Sequence, residues 1–116
     1  MKTQTKADSV FTAIEDGIFL KEGAEHIKIL YADIHYLQAD GDYTRIYLKN
    51  ARRYVTIGIG ALFAKLPAME FIKVHKSFVV NLKEVTSYKQ KHLHIGDQEI
   101  PISRSHKAEF LKRVAL

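Results

Sequence analysis

The chain contains no cysteine. That excludes a disulfide framework and any thiolate zinc site, and it is compatible with a reducing compartment. Long apolar runs are also absent. None approaches the roughly 18 residues that a bilayer-spanning helix needs. The first ten residues, MKTQTKADSV, are polar and mixed in charge, without the apolar centre of a signal peptide. A soluble, cytoplasmic protein with no membrane partner is the expectation. No Pro/Gly/Ser linker, internal repeat or low-complexity segment occurs. Catalytic signatures are equally scarce. There is no glycine-rich phosphate loop, and no serine sits in a nucleophile elbow. Asp40 and Asp42 are close in sequence, but a tight turn at Gly41 accounts for them. His92 and His94 share one face of a strand. Zinc takes three or four ligands, and no third is indicated. The chain is therefore expected to be no enzyme, with no metal and no cofactor.

What is present is a core and an uneven charge. The 116 residues fit one domain, and 47% are hydrophobic. Residues 1–15 read as a flexible lead-in or linker stub and 16–116 as the domain. The net charge is +5, from 18 basic and 13 acidic residues. Met1 to Glu70 holds 9 of each sign, whereas Phe71 to Leu116 holds 9 basic and 4 acidic, with four of the six His. The whole excess thus lies in the C-terminal part. Clustered positive charge suits a nucleic acid, and equally an acidic protein or an anionic membrane surface.

Period-2 alternation dominates the chain. It predicts short strands at 18–20, 27–30, 34–37, 43–48, 53–59, 72–74, 78–80, 85–88, 93–95 and 99–102. Turns are predicted at Lys21-Glu22-Gly23, Asp40-Gly41-Asp42, Lys49-Asn50 and Gly96-Asp97. From Tyr43 to Leu48 the pattern sets Tyr43, Arg45 and Tyr47 against Thr44, Ile46 and Leu48. A short helix is expected near 61–66, stopped by Pro67. A C-terminal helix is capped by Ser103 or Ser105, with Phe110 and Val114 on one face. No helix separates successive strands, so the fold class is all-β, a sandwich or barrel.

The segment Phe71–Leu82, FIKVHKSFVVNL, is the most informative. Lys73 and Lys76, with His75 between them, precede the apolar run Phe78-Val79-Val80, and Asn81 reads as a turn. A basic loop is thus set beside a core strand, with Phe78 expected buried. An ordinary solvated loop has the same signature. The tyrosines at 36, 43, 47, 54 and 88 are interleaved with basic residues, which suits base stacking, although cross-strand packing explains them as well.

The order of four pieces resembles the LytTR family of bacterial DNA-binding domains. They are IHYLQADGDY (34–43), LFAKLP (62–67), FIKVHKSFVVN (71–81) and IPISR (100–104). The resemblance covers roughly Ile18 to Leu111. It implies an elongated sandwich of about ten strands in three small sheets, whose loops enter successive major grooves of duplex DNA. Carried over by position, the DNA-facing residues are Asp42, Tyr43, Thr44 and Arg45, then Lys76 and Ser77, then Ser103 and Arg104. Lys73, Lys83, Lys107 and Arg45 would neutralise phosphates. Thr44 and Lys76 stand at positions where the family also uses His or Asn, so the resemblance implies that the sequence read here can differ. The resemblance further implies transcription regulation, repeated half-sites, a second copy on DNA, and a response-regulator context. The chain has no room for a phosphoacceptor domain, so a stand-alone regulator and an excised fragment are both open. The rival reading is a basic β-domain that docks an acidic protein partner.

Overall fold

The computed structural model describes residues 11–13 and 15–115. Glycine-bearing turns organise the strands. Gly23, Gly41 and Gly96 have φ of 64°, 63° and 60°, a region costly for residues with a Cβ. Each closes a hairpin. β2 (Gly17–Glu22) pairs with β3 (Glu25–Leu30), and β4 (Ile34–Asp40) with β5 (Tyr43–Leu48). β10 (His92–Ile95) pairs with β11 (Gln98–Pro101). Among the described residues, eleven strands form three antiparallel sheets, as the all-β expectation requires. β1 (Phe11–Ala13) lies on the free edge of β2, giving the order β1-β2-β3. β9 (Ser87–Tyr88) completes the sheet β11-β10-β9. The central sheet has the order β6-β5-β4-β8-β7, adding β6 (Arg52–Val55), β7 (Phe71–His75) and β8 (Phe78–Asn81).

The central sheet packs against a core on each face. Leu37, Ile46, Val55, Phe71 and Val79 face one core, which they share with Ile18, Leu20 and Ile29 of the first sheet. Helix α1 (Ile59–Phe63) contributes Ile59 and Leu62 to the same core. Tyr36, Ile72, Val74 and Val80 face a second core, shared with Leu93, Ile95 and Ile100 and with Phe110 of α2 (Arg104–Val114). Neighbouring residues such as Tyr36 and Leu37, or Val79 and Val80, therefore serve opposite cores, as strand alternation dictates. The second core covers the β7-β8-β4 part of its face and is flanked by Tyr47 of β5, which stacks on Tyr36 with ring centroids 4.3 Å apart. Over β5 and β6 that face presents Arg45, Tyr47, Arg52 and Tyr54, all at least partly exposed. The molecule is elongated, 45 × 24 × 23 Å.

Several local expectations are corrected. Of the expected lead-in, residues 1–10 lie outside the described residues, and 11–13 form β1, paired with β2. The strand expected through Ile59 ends at Val55. Ile59 instead opens α1, which starts earlier than 61 and is continued to Leu66 by tighter bonds such as Leu66 N–H to the Phe63 carbonyl. Only Ser87–Tyr88 of the expected 85–88 strand pairs, since Leu82–Glu84 form a 3-10 turn that Val85 closes. Asn81 is the cause of that turn, and is itself the last residue of β8. It is 1% exposed. Its amide donates to the Ile34 carbonyl at 2.9 Å, and its Oδ1 accepts from the Lys83 N–H at 3.0 Å. Phe78, expected in the core, is half-buried, tilted against Tyr36 with centroids 6.3 Å apart.

Asn81 generates a prediction. Asn81→Ala strips the buried Ile34 carbonyl of this donor and the turn of its cap, and should cost about 1–3 kcal/mol. Asn81→Asp keeps the cap acceptor but sets a carboxylate against that carbonyl, so its loss should be at least as large. Urea unfolding midpoints of the two variants check this.

Candidate nucleic-acid interface

Antiparallel pairing fixes which loops share an end of the central sheet. β4 runs toward Asp40 and β8 starts beside it, with Gln38 opposite Phe78. The β4–β5 turn and the β7–β8 tip, His75 to Phe78, are therefore neighbours. A hydrogen bond from the Ala39 N–H to the Ser77 carbonyl, 2.9 Å, joins them. The third element arrives through a bulge. Register between β7 and β8 shifts between Lys73 and His75. The Val74 carbonyl accepts from the Ser103 N–H at 2.9 Å, which brings the β11–α2 junction to the same end. Lys91 follows, because its carbonyl accepts from the Ile102 N–H at 2.8 Å.

The junction and tip are electropositive. Lys76 and Arg104 are exposed, and Lys107 is half-buried, its ammonium donating to the Gln90 side chain. Arg104 and Lys107, with His75, Lys91, His92 and Ser103, surround a shallow cleft of about 410 Å³. The Ser77 N–H donates to His75 Nδ1 at 3.1 Å, and Ser103 Oγ lies 2.6 Å from His106 Nδ1. Burial first, then the Lys73 charge and the proximity of the His75 ring, push the His106 imidazole below its ordinary range.

The β4–β5 side differs. Asp42 and Tyr43 are exposed beside Tyr54. Arg45 is half-buried and held by Asp40, Nη2 to Oδ2 2.9 Å and Nε to Oδ2 3.0 Å, with its guanidinium 5.5 Å from the Tyr54 ring centroid. Its charge is therefore largely compensated inside the protein. Thr44 does not face outward at all. It is 0% exposed, and its hydroxyl donates to the Ile57 carbonyl at 2.6 Å. The alternation that sets Thr44 with Ile46 had already placed it on the core face, and pairing with Val55 keeps it there. Lys83 is also displaced. It follows Asn81 at the opposite end of β8 from the tip.

The structure thus brings together Lys76, Ser77, Ser103, Arg104 and Lys107, with Lys73 alongside, and places Asp42, Tyr43 and Arg45 next to them. His75, Gln90, Lys91 and His106 join the group without having been singled out. The basic stretch Lys89-Gln90-Lys91 and the His between Lys73 and Lys76 were the available signals. Among the described residues, no three His, Cys, Asp or Glu side chains are arranged to hold a metal, and no helix is long and apolar enough to cross a membrane.

Comparison with protein-family models matches residues 24–115 to the LytTr DNA-binding domain. The chain is 29% identical over 115 residues to the transcriptional regulatory protein YpdB of Escherichia coli O6:H1, covering 93% of this chain and 47% of that protein. It is 28% identical over 60 residues to the CO-responsive transcriptional regulator RcoM of Rhodospirillum rubrum, 52% of this chain and 25% of that protein. It therefore spans less than half the length of either relative. A solved LytTr DNA-binding domain from Bacillus cereus superposes with a TM-score of 0.74 at 20% identity, covering 88% of this chain and 99% of that one, which shows a shared fold.

Thr44 yields the prediction here. Thr44→Val keeps shape but leaves the Ile57 carbonyl without that donor, and should cost about 1–2 kcal/mol of stability. Affinity for duplex DNA, measured well below the melting temperature, should not change. A loss of affinity in the folded variant would return Thr44 to the contact surface.

Proposed function

The chain belongs to the LytTR family of DNA-binding domains, and from that premise we propose that it is the sequence-reading, duplex-binding unit of a bacterial transcription regulator acting in the cytoplasm. The observation that carries this reading is the gathering of Lys76, Ser77, Ser103 and Arg104 at one end of the central sheet by two backbone hydrogen bonds. Loops fixed in this way keep their spacing, and fixed spacing is what lets two side chains meet base edges in neighbouring grooves. Arg104, exposed on the first residue of α2, is the principal reader, because a guanidinium pairs bidentately with guanine O6 and N7. Lys76 contacts guanine or phosphate. Lys73 and Lys107 set register on the phosphates. Asp42 and Tyr43 lie beside the duplex at the far edge, and Arg45, held by Asp40, orients that turn. Repeated half-sites and a second copy on the DNA complete the proposal, as does a response-regulator context for the longer protein.

Selection of bound duplexes from a random pool tests it. One enriched sequence class is expected; a pool that stays random sinks the reading. On the enriched duplex, Arg104→Ala should lose about 1–3 kcal/mol of binding and relax the preference at one base pair, with an unchanged melting temperature. Lys107→Ala should weaken all duplexes alike and reduce the log–log salt slope by about 1. A changed sequence preference in Lys107→Ala would contradict its role as a phosphate contact.

A further inference from the structure

Two imidazoles stand directly behind the proposed readers. His75 lies at the end of β7, half-buried, with its ring edge-on to Phe78 at a centroid distance of 5.6 Å. Its Nδ1 accepts the Ser77 N–H, so the peptide that follows Lys76 is pinned by a ring nitrogen. His106, in the first turn of α2, meets Ser103 Oγ at 2.6 Å and Ser105 Oγ at 3.2 Å. It thereby ties the residue before Arg104 to the helix that carries Arg104. We infer that His75 and His106 are positioning residues which, as neutral imidazoles, hold the two reading loops in the geometry that distinguishes one duplex from another. This inference rests on the DNA-binding reading above.

The chemistry makes neutrality matter. A neutral imidazole offers one acceptor nitrogen, whereas an imidazolium offers none. Protonation of His75 at Nδ1 therefore turns an acceptor into a donor that opposes the Ser77 N–H. Protonation of His106 leaves a donor toward Ser103 but adds a cation among cations. Lys73 and His75 face it from β7. The cleft beside His75 carries Lys91 and His92 from the β9–β10 side, and Arg104 and Lys107 from α2, with no carboxylate in its wall. Glu99, 3.6 Å from His92 Nδ1, is spent on that histidine. Consistent with this, the folded-state pKa of His106 lies below its ordinary value. What it lends to stability is then fully present above the unfolded pKa of about 6.5, and is lost as pH falls through the lower folded value. On the DNA-bound surface acidification has two opposed effects. Added positive charge strengthens attraction to any duplex, while loosened loops weaken discrimination among duplexes.

The test compares two probes, the duplex enriched in the selection and a scrambled duplex of equal length, by fluorescence anisotropy between about pH 5.5 and 8 at constant ionic strength. The wild-type chain should lose about tenfold in its affinity ratio across that range, the size of one hydrogen bond, while scrambled-duplex affinity rises. In His75→Asn the Asn Oδ1 takes the place of Nδ1 as a non-titrating acceptor. The His75→Asn, His106→Asn double variant should discriminate well at both ends of the range. His75→Phe, which keeps the ring against Phe78 but has no acceptor, should discriminate poorly at every pH with an unchanged melting curve. A wild-type ratio independent of pH overturns the inference, as does a double variant that keeps the wild-type pH profile. Absence of discrimination at any pH sinks the DNA-binding reading and takes the inference with it; discrimination that ignores pH removes the inference alone.

Discussion

β4 and β8 carry apolar side chains on both faces, and their mutual register decides where everything else sits. Leu37 and Val79 seal one core while Tyr36 and Val80 seal the other. A slip of one residue would exchange the two sets and leave each core with the wrong shapes. With that register locked, Gln38 must oppose Phe78, and the two hairpin ends must meet. The Ala39 to Ser77 hydrogen bond is a consequence of the same register. Asn81 secures the other end of the pair, reaching from β8 to the Ile34 carbonyl at the start of β4. Two-sided burial thus turns a packing requirement into a placement requirement for the surface loops.

Charge is arranged on this frame unevenly. His75 of the tip and the basic residues of the junction line a cleft free of carboxylates, whereas on the β4–β5 side Arg45 is paired with Asp40. The same division appears at the base of the molecule, where Arg53 pairs with Glu22 at 2.5 Å. In the first half of the chain Lys28, Arg45 and Arg53 are each paired with a carboxylate. In the second half, where the whole excess of the charge count falls, Lys76 and Arg104 are exposed.

Most of the fold was legible, because period-2 alternation and three glycines with positive φ are local signals. The misreadings share a cause, in that a distant partner decides the local outcome. Ile57 and Ile59 continue an alternating pattern, but the Ile57 carbonyl accepts from Thr44 and the chain turns into α1. Val85 reads as strand until Asn81 folds the preceding residues into a 3-10 turn. For the site, the order of landmarks named loops that the structure gathers at one end of the central sheet, while position alone could not say which side chain of a loop points out. Thr44 shows the rule that should have prevailed. Its parity with Ile46 was visible, and it outweighs a positional correspondence. His75 and His106 were harder to see, since an acceptor role depends on where the Ser77 amide and the Ser103 hydroxyl arrive in space.

Among the described residues the two cores have no buried residue in common, and the central sheet lies between them. Such a molecule can loosen in halves. Should the α2 side open, β4 and β8 still lie against the first core, and the converse holds when the first sheet frays. Their amides are shielded by whichever half remains, so they should be the slowest in the chain to exchange with solvent deuterium, with protection falling outward toward β6 and β11. The Ser103 bond to Val74 lies on the seam between those halves. The spacing of the reading loops would then fail on the time scale of half-molecule opening, well before the chain as a whole unfolds.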